Sequence, residues 1–163
     1  MIELLFAAMM PAQVAAQQPE LDPRKPDIVT FGASTEEMMT QLEGLCTAIE
    51  LRQFDPPRIP LAKESHSQID CQGFDFLGRP RLAEFVFADD ALHIVWILVE
   101  PGEKDAIIAA MRSTYGSDGQ SVKAAIGFPE YRTAWRHEPA ELLFYSETVA
   151  PMFEARLKQP QAE

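Results

Sequence analysis

The chain has 163 residues, of which 47% are hydrophobic, so it is long and apolar enough for one globular domain and too apolar to be disordered. Its formal net charge of −11 excludes a nucleic-acid groove, which needs clustered Lys and Arg, and disfavours docking on anionic lipid. Two cysteines are too few for a disulfide-rich scaffold, and their spacing matches no zinc motif, so we expect neither a metal nor a cofactor.

Residues 1–16 are predicted to be a signal peptide. An apolar run from Ile2 to Met10 is followed by small residues that end at Ala16, as signal peptidase requires. The run is too short to span a bilayer, so we expect no membrane insertion after cleavage. No Lys or Arg precedes the run, which leaves an amphipathic helix packed on the domain as the alternative; a misassigned start codon would also explain the missing base. Residues 17–30 contain several prolines and are predicted to be a disordered linker.

The folded domain is expected over residues 31–158 and begins with a helix. Ser34 and Glu37 have the spacing of a capping box. Apolar residues at helical spacing, Cys46 among them, extend the predicted helix to about Arg52. Prolines follow and end it.

Three strands of a meander are predicted next. Residues 68–72 alternate polar and apolar side chains, and residues 81–88 and 91–99 form two longer strands joined by a tight turn at Asp89-Asp90. Segment 91–99 is apolar on both faces, which predicts a central strand covered on both sides.

The last third of the chain is predicted to return to helix and hairpin. The expected elements are a helix from Glu103 to Tyr115 with Gly116 as its C-cap, a loop over residues 116–130, a hairpin of segments 132–137 and 141–146, and a helix over residues 148–157. The predicted fold class is therefore α+β: an antiparallel β-meander of three or more strands covered by two or three helices in a single small domain.

Cys46 and Cys71 are predicted to form a disulfide. Cys46 faces the core from the predicted helix, and Cys71 shares a strand face with Ile69, so both sulfurs point into one layer if the helix packs across the meander. Export would place them in an oxidising compartment. The alternative is a pair of buried free thiols, as expected of a cytoplasmic protein.

The histidines are weak candidates for catalysis. His66 follows Ser65, but a triad is defined by geometry, and neighbours on an extended chain point to opposite sides. His137 and Glu138 resemble the start of a zinc-peptidase helix that lacks its second histidine. His93 lies in the most apolar strand, where a core histidine with a satisfied hydrogen bond is expected.

A surface patch is the remaining candidate. Tyr131, Arg132, Trp135 and Arg136 cluster in an otherwise acidic chain, and these residue types dominate protein–protein hot spots. In the alternative interpretation Trp135 is a core residue flanked by the two arginines.

Together these features predict a periplasmic or secreted, non-catalytic binding or accessory domain with a protein partner, and they do not predict its oligomeric state. The alternative is a small hydrolase-type enzyme whose base is His66 or His137, with Ser65 or Glu138 beside it. A pocket that brings a histidine within hydrogen-bond reach of a carboxylate or hydroxyl would favour the enzyme. A flat apolar face bearing Trp135 would favour binding.

Overall fold

A computed structural model describes residues 21–157, so the predicted signal peptide and residues 17–20 of the predicted linker lie outside the described residues. Within that range the helices are α1 (Thr35–Leu42), α2 (Lys104–Tyr115) and α3 (Ala150–Leu157). The strands are β1 (Ala48–Phe54), β2 (His66–Phe76), β3 (Arg79–Ala88), β4 (Ala91–Leu98), β5 (Gln120–Val122), β6 (Ala125–Phe128), β7 (Thr133–Arg136) and β8 (Glu141–Tyr145).

These strands form one antiparallel sheet of eight strands in the order β1-β2-β3-β4-β8-β7-β6-β5. The first four strands form one meander and the last four form another, and the two meet where β4 pairs with β8. A helix precedes each meander, α1 the first and α2 the second. The predicted α+β class is confirmed, with a sheet larger than expected.

The helices cover both faces of the sheet. Met38 and Leu42 of α1 and Ile107 and Met111 of α2 are buried in the larger core on one face. α3 packs on the other face, which we call the α3 face, over a smaller apolar cluster that includes Leu143 and Tyr145 of β8. The strand β4 is central and covered on both sides, as its sequence predicts.

The first helix begins as predicted and ends early. Glu37 donates its backbone N–H to the Ser34 hydroxyl (3.2 Å), and the Ser34 N–H donates to the Glu37 carboxylate (2.8 Å), which completes the capping box. The helix ends at Leu42 and does not reach Arg52. Gly44 adopts a φ of +78°, a left-handed conformation that interrupts a right-handed helix.

The predicted second half of that helix is instead the edge strand β1. Ile49 lies opposite Cys71 of β2, and Leu51 lies opposite Ile69. Ile49 and Leu51 are two residues apart, which fits one face of a strand, while Ile49 also continues the apolar stripe of the predicted helix, so the sequence pattern was ambiguous here. Pairing with β2 decides it.

Two further strands replace the loop that was predicted over residues 116–130. The strands β5 and β6 have 3 and 4 residues, which is too short for either hydrophobic period to show. They form because β6 pairs with β7 and so extends the predicted hairpin of β7 and β8.

The described part of the predicted linker is packed against the domain. Residues 21–30 contain no helix or strand, but Val29 is buried in the larger core. Tyr115 of α2 donates its hydroxyl to the Pro23 carbonyl at 3.0 Å. The folded body therefore begins before residue 31, because this segment contributes apolar contacts and a buried hydrogen bond.

Cys46 and Cys71 form the predicted disulfide, with their Cα atoms 5.3 Å apart. Cys71 is fully buried in β2, whereas Cys46 lies in the connection between α1 and β1 and not in a helix. The bond therefore fixes that connection to the sheet. Among residues 21–157, no helix combines the length and the apolar character that crossing a bilayer requires.

Candidate functional site

His66 is enclosed at the start of β2. It is 6% exposed, its ring stacks on Phe54 with centroids 4.4 Å apart, and its Nδ1 accepts a hydrogen bond from the Arg58 backbone N–H at 3.1 Å. Because Nδ1 accepts, the neutral ring carries its proton on Nε2. That atom is buried and has no hydrogen-bond partner among the described residues, and Ser65 does not reach it. Burial, with help from the Arg58 charge, lowers the pKa of His66.

The other two histidines are also engaged by neighbouring groups. His93 Nδ1 lies 2.8 Å from the Ser146 hydroxyl, so this histidine has the polar partner expected of a core residue. His137 Nδ1 accepts the indole N–H of Trp135 at 3.0 Å. Burial lowers the pKa of both rings. Nowhere between residues 21 and 157 do three His, Cys, Asp or Glu side chains converge in a way that could hold a metal ion.

A cavity of about 340 Å³ on one side of α3 is lined by both His66 and Glu84. No hydrogen bond joins the two side chains in the structure. Glu84 lies 3.8 Å from Arg52, and burial raises its pKa. The cavity thus contains a histidine and a carboxyl group without the contact that general acid–base catalysis uses.

The four residues of the predicted surface patch do not share a surface. Trp135 and Arg136 are successive residues of β7 and therefore point to opposite faces. Trp135 is buried in the larger core, and Arg136 lies on the α3 face. Tyr131 is half exposed and stacks on Tyr115 with centroids 4.5 Å apart, while Arg132 sits in the turn before β7 with a φ of +50°. The placement of Trp135 agrees with the alternative interpretation, in which this tryptophan is a core residue.

An apolar cleft of about 150 Å³ lies between α3 and the sheet, and we call it the α3 cleft. Its floor includes Leu143 of β8 with its cross-strand neighbours Trp96 of β4 and Ala134 of β7. α3 supplies Phe153 and Leu157, which are four residues apart and so lie on one side of that helix. Leu157 sits where a Cβ on Gly127 of β6 would be, so that glycine allows α3 to pack closely.

Arg136 connects the α3 cleft to a buried carboxyl group. Its guanidinium lies over the Trp96 ring, 4.3 Å from the centroid, and pairs with Glu141. Glu141 is 1% exposed, and burial raises its pKa to about 7 although Arg136 acts in the opposite direction. Arg136 is thus paired with a carboxyl group whose charged form is disfavoured by burial.

Two more polar side chains, Arg156 and Tyr145, line the α3 cleft. Arg156 of α3 has its guanidinium 6.0 Å from the Phe153 ring, and it pairs with no carboxylate among residues 21–157. Tyr145 of β8 is 1% exposed, and its hydroxyl is buried with no hydrogen-bond partner in the described part of the chain. The Tyr145 hydroxyl is therefore a buried donor without an acceptor among residues 21–157, whereas the Arg156 guanidinium is an exposed donor at the rim of the cleft.

The sequence analysis did not select Trp96, Tyr145 or Arg156. Each lies in a segment that the pattern assigned correctly to a strand or a helix, but the three segments are far apart along the chain. One signal in the sequence could have identified the cleft: β4 carries a tryptophan on a face of the sheet that a later helix had to cover.

Comparisons with protein-family models, with curated proteins and with solved structures each return no match.

Proposed function

We propose that this chain is an exported, non-catalytic binding domain, periplasmic or secreted, and that the α3 cleft is its ligand site. The observation that carries the proposal is the composition of the cleft, which has apolar walls, two arginines and a buried Tyr145 hydroxyl without an acceptor among the described residues. The signal-peptide pattern of residues 1–16 supports export, and so does the disulfide, because such bonds persist in oxidising compartments.

The chemistry of the α3 cleft favours binding over catalysis. Its polar groups are two guanidinium groups, which stay protonated, and one phenol. Burial raises the pKa of Tyr145 to about 12, so this phenol keeps its proton near neutral pH and does not act as a base. A general base or nucleophile needs a pKa close to the working pH. The alternative hydrolase around His66 or His137 has less support, because neighbouring N–H groups occupy Nδ1 of both rings.

The test is whether the purified protein retains a small molecule without changing it. Native mass spectrometry follows the protein after equilibration with the extracellular small molecules of its host. We expect wild type to retain a ligand and Ala134→Leu to lose it, because Ala134 lines the α3 cleft and a leucine there fills part of it. Ala109→Leu, on the exposed side of α2, is the matched control and should retain the ligand. Chemical conversion of the ligand, or equal retention by Ala134→Leu, would contradict the proposal.

A further inference from the structure

The volume of the α3 cleft limits what can enter it. An apolar cavity of about 150 Å³ accepts a benzene ring, and the α3 cleft has about that volume. Sites that enclose a drug-sized molecule are larger, at roughly 300–1,000 Å³. The buried part of a ligand is therefore one ring or a branched chain of similar size, and its remaining atoms lie at the rim.

The polar groups of the α3 cleft specify the other end of the ligand. The Tyr145 hydroxyl is a buried donor without an acceptor among the described residues, and Arg156 supplies an exposed guanidinium that also lines the cleft. Arg136 adds a second guanidinium, which lies over the Trp96 ring and pairs with the buried Glu141. An amine ligand would meet two positive charges and satisfy none of these donors. A carboxylate supplies acceptors to a guanidinium in a charge-assisted geometry.

The local charge differs from that of the whole molecule. The chain has a formal net charge of −11, yet the charged side chains that line this cleft are both arginines. An acidic surface repels anions at long range, so an anion that binds here must be held by short-range contacts. Arg156 and Arg136 provide them where the apolar walls meet the rim.

We infer, on the basis of the proposed function, that the ligand of the α3 cleft is a small carboxylic acid with one ring-sized or branched apolar group. The apolar group lies between α3 and the sheet, against Trp96, Leu143 and Phe153. The carboxylate accepts from Arg156 and from the Tyr145 hydroxyl. The ligand is a free small molecule, because the volume of the α3 cleft fits one apolar group.

The test uses 3-phenylpropionate as the probe and isothermal titration calorimetry on the full-length purified protein. We expect a dissociation constant below about 1 mM, which is within the range for a ligand of this size. Arg156→Gln should weaken binding about tenfold or more. Arg112→Gln removes an arginine on α2 that lies near Asp118, outside the cleft, and should leave binding unchanged. The neutral amide 3-phenylpropionamide should bind wild type at least tenfold more weakly than the acid.

Tyr145→Phe separates a ligand contact from a structural role. The variant removes a buried hydroxyl that has no hydrogen-bond partner within residues 21–157, so we expect its midpoint of thermal unfolding without ligand to be unchanged or raised. Its affinity for 3-phenylpropionate should fall about fivefold or more. A lowered midpoint together with unchanged affinity would overturn the role given to this hydroxyl.

The outcomes distinguish the ligand class from the proposed function. Equal binding of acid and amide, lost in Ala134→Leu, would overturn the carboxylate and leave the α3 cleft as a binding site. Failure of both probes, together with retention of an extracellular molecule that depends on Ala134, would also overturn only the ligand class. Failure of both probes and of retention would overturn both. A peptide with a C-terminal phenylalanine that binds the cleft tenfold more tightly than the free acid would overturn the small-molecule assignment.

Discussion

Burial acts in opposite directions on two of the most enclosed titratable side chains. It lowers the pKa of His66 and raises the pKa of Glu141 to about 7, because it disfavours the charged form of each. His66 is held by a single accepted hydrogen bond, and Glu141 is held by Arg136. The pH dependence of stability must therefore be measured one residue at a time, since the two contributions have opposite signs between about pH 4.5 and 7.

At the residue scale we predict that His66 destabilises the fold in acid. Its pKa is lower in the folded state than the ordinary value of about 6.5, so the unfolded chain binds the proton first as the pH falls. The free energy of unfolding should then decrease below about pH 6.5. In His66→Gln, which keeps a polar side chain that does not take up a proton, this decrease should be smaller.

Urea unfolding at about pH 7.5 and about pH 5 measures the effect. The decrease in the free energy of unfolding between the two pH values should be larger in wild type than in His66→Gln, because burial lowers the pKa of His66 in the folded state only. An identical change in both proteins would contradict the prediction.

The side chains of β4 show why residue-level placement was only partly predictable. Strict alternation puts Leu92, Ile94 and Trp96 on one face, whereas the structure pairs Leu92 with Phe87 in the larger core and Ile94 with Val86 on the α3 face. A β-bulge inserts His93 between them and reverses the alternation. Nothing in the local sequence marks that bulge, because both neighbours are apolar.

At the scale of elements, the disulfide is attached to the first segment that the sequence assigned wrongly, the residues after α1 that were predicted to continue the helix. It connects β2 to the segment between α1 and β1, where Gly44 ends the helix. The sequence correctly paired the cysteines on the assumption of a longer helix. The predicted bond is correct although the predicted helix is not, because Ile49 still faces the core from β1, directly opposite Cys71. Ile49 was predicted to lie on the same apolar stripe as Cys46.

We predict that reducing this bond destabilises the fold by up to about 3–4 kcal/mol, the value that the chain-entropy relation gives for a loop of this length. The two cysteines are 25 residues apart. Urea unfolding with and without dithiothreitol measures the difference. Cys46→Ala combined with Cys71→Ala is the control and should not respond to the reductant. A wild type that also fails to respond would contradict the prediction.

At the scale of the whole molecule, the fold consists of two helix-and-meander halves joined through β4 and β8. No repeat is visible in the sequence, and the strands of the second half have 3 to 5 residues against 7 to 11 in the first. The fold class was predictable because the long strands carry clear patterns. The α3 cleft was not predictable from the sequence, because its walls come from β4, β7, β8 and α3, and only the order of the strands in the sheet brings these elements together.

Export makes a prediction for the intact protein in its native host. Protein purified from that host should begin just after Ala16 and should contain no free thiol, because the signal peptide is removed and the cysteines are oxidised. Intact-mass measurement after thiol alkylation of the unfolded protein gives both the position of the N-terminus and the number of free thiols. An uncleaved N-terminus with two free thiols on cytoplasmic protein would contradict export.

The central claim, that the α3 cleft is the functional site, can be tested with the two tryptophan side chains of the protein. The chain contains two tryptophans: Trp96 lines the α3 cleft, and Trp135 is buried in the core on the opposite face with its indole N–H bonded to His137. In a ¹H–¹⁵N spectrum recorded while the extracellular small molecules of the host are added, the account predicts that the Trp96 indole signal shifts and the Trp135 signal stays. A shift of Trp135 alone, or no shift of either indole, would contradict it.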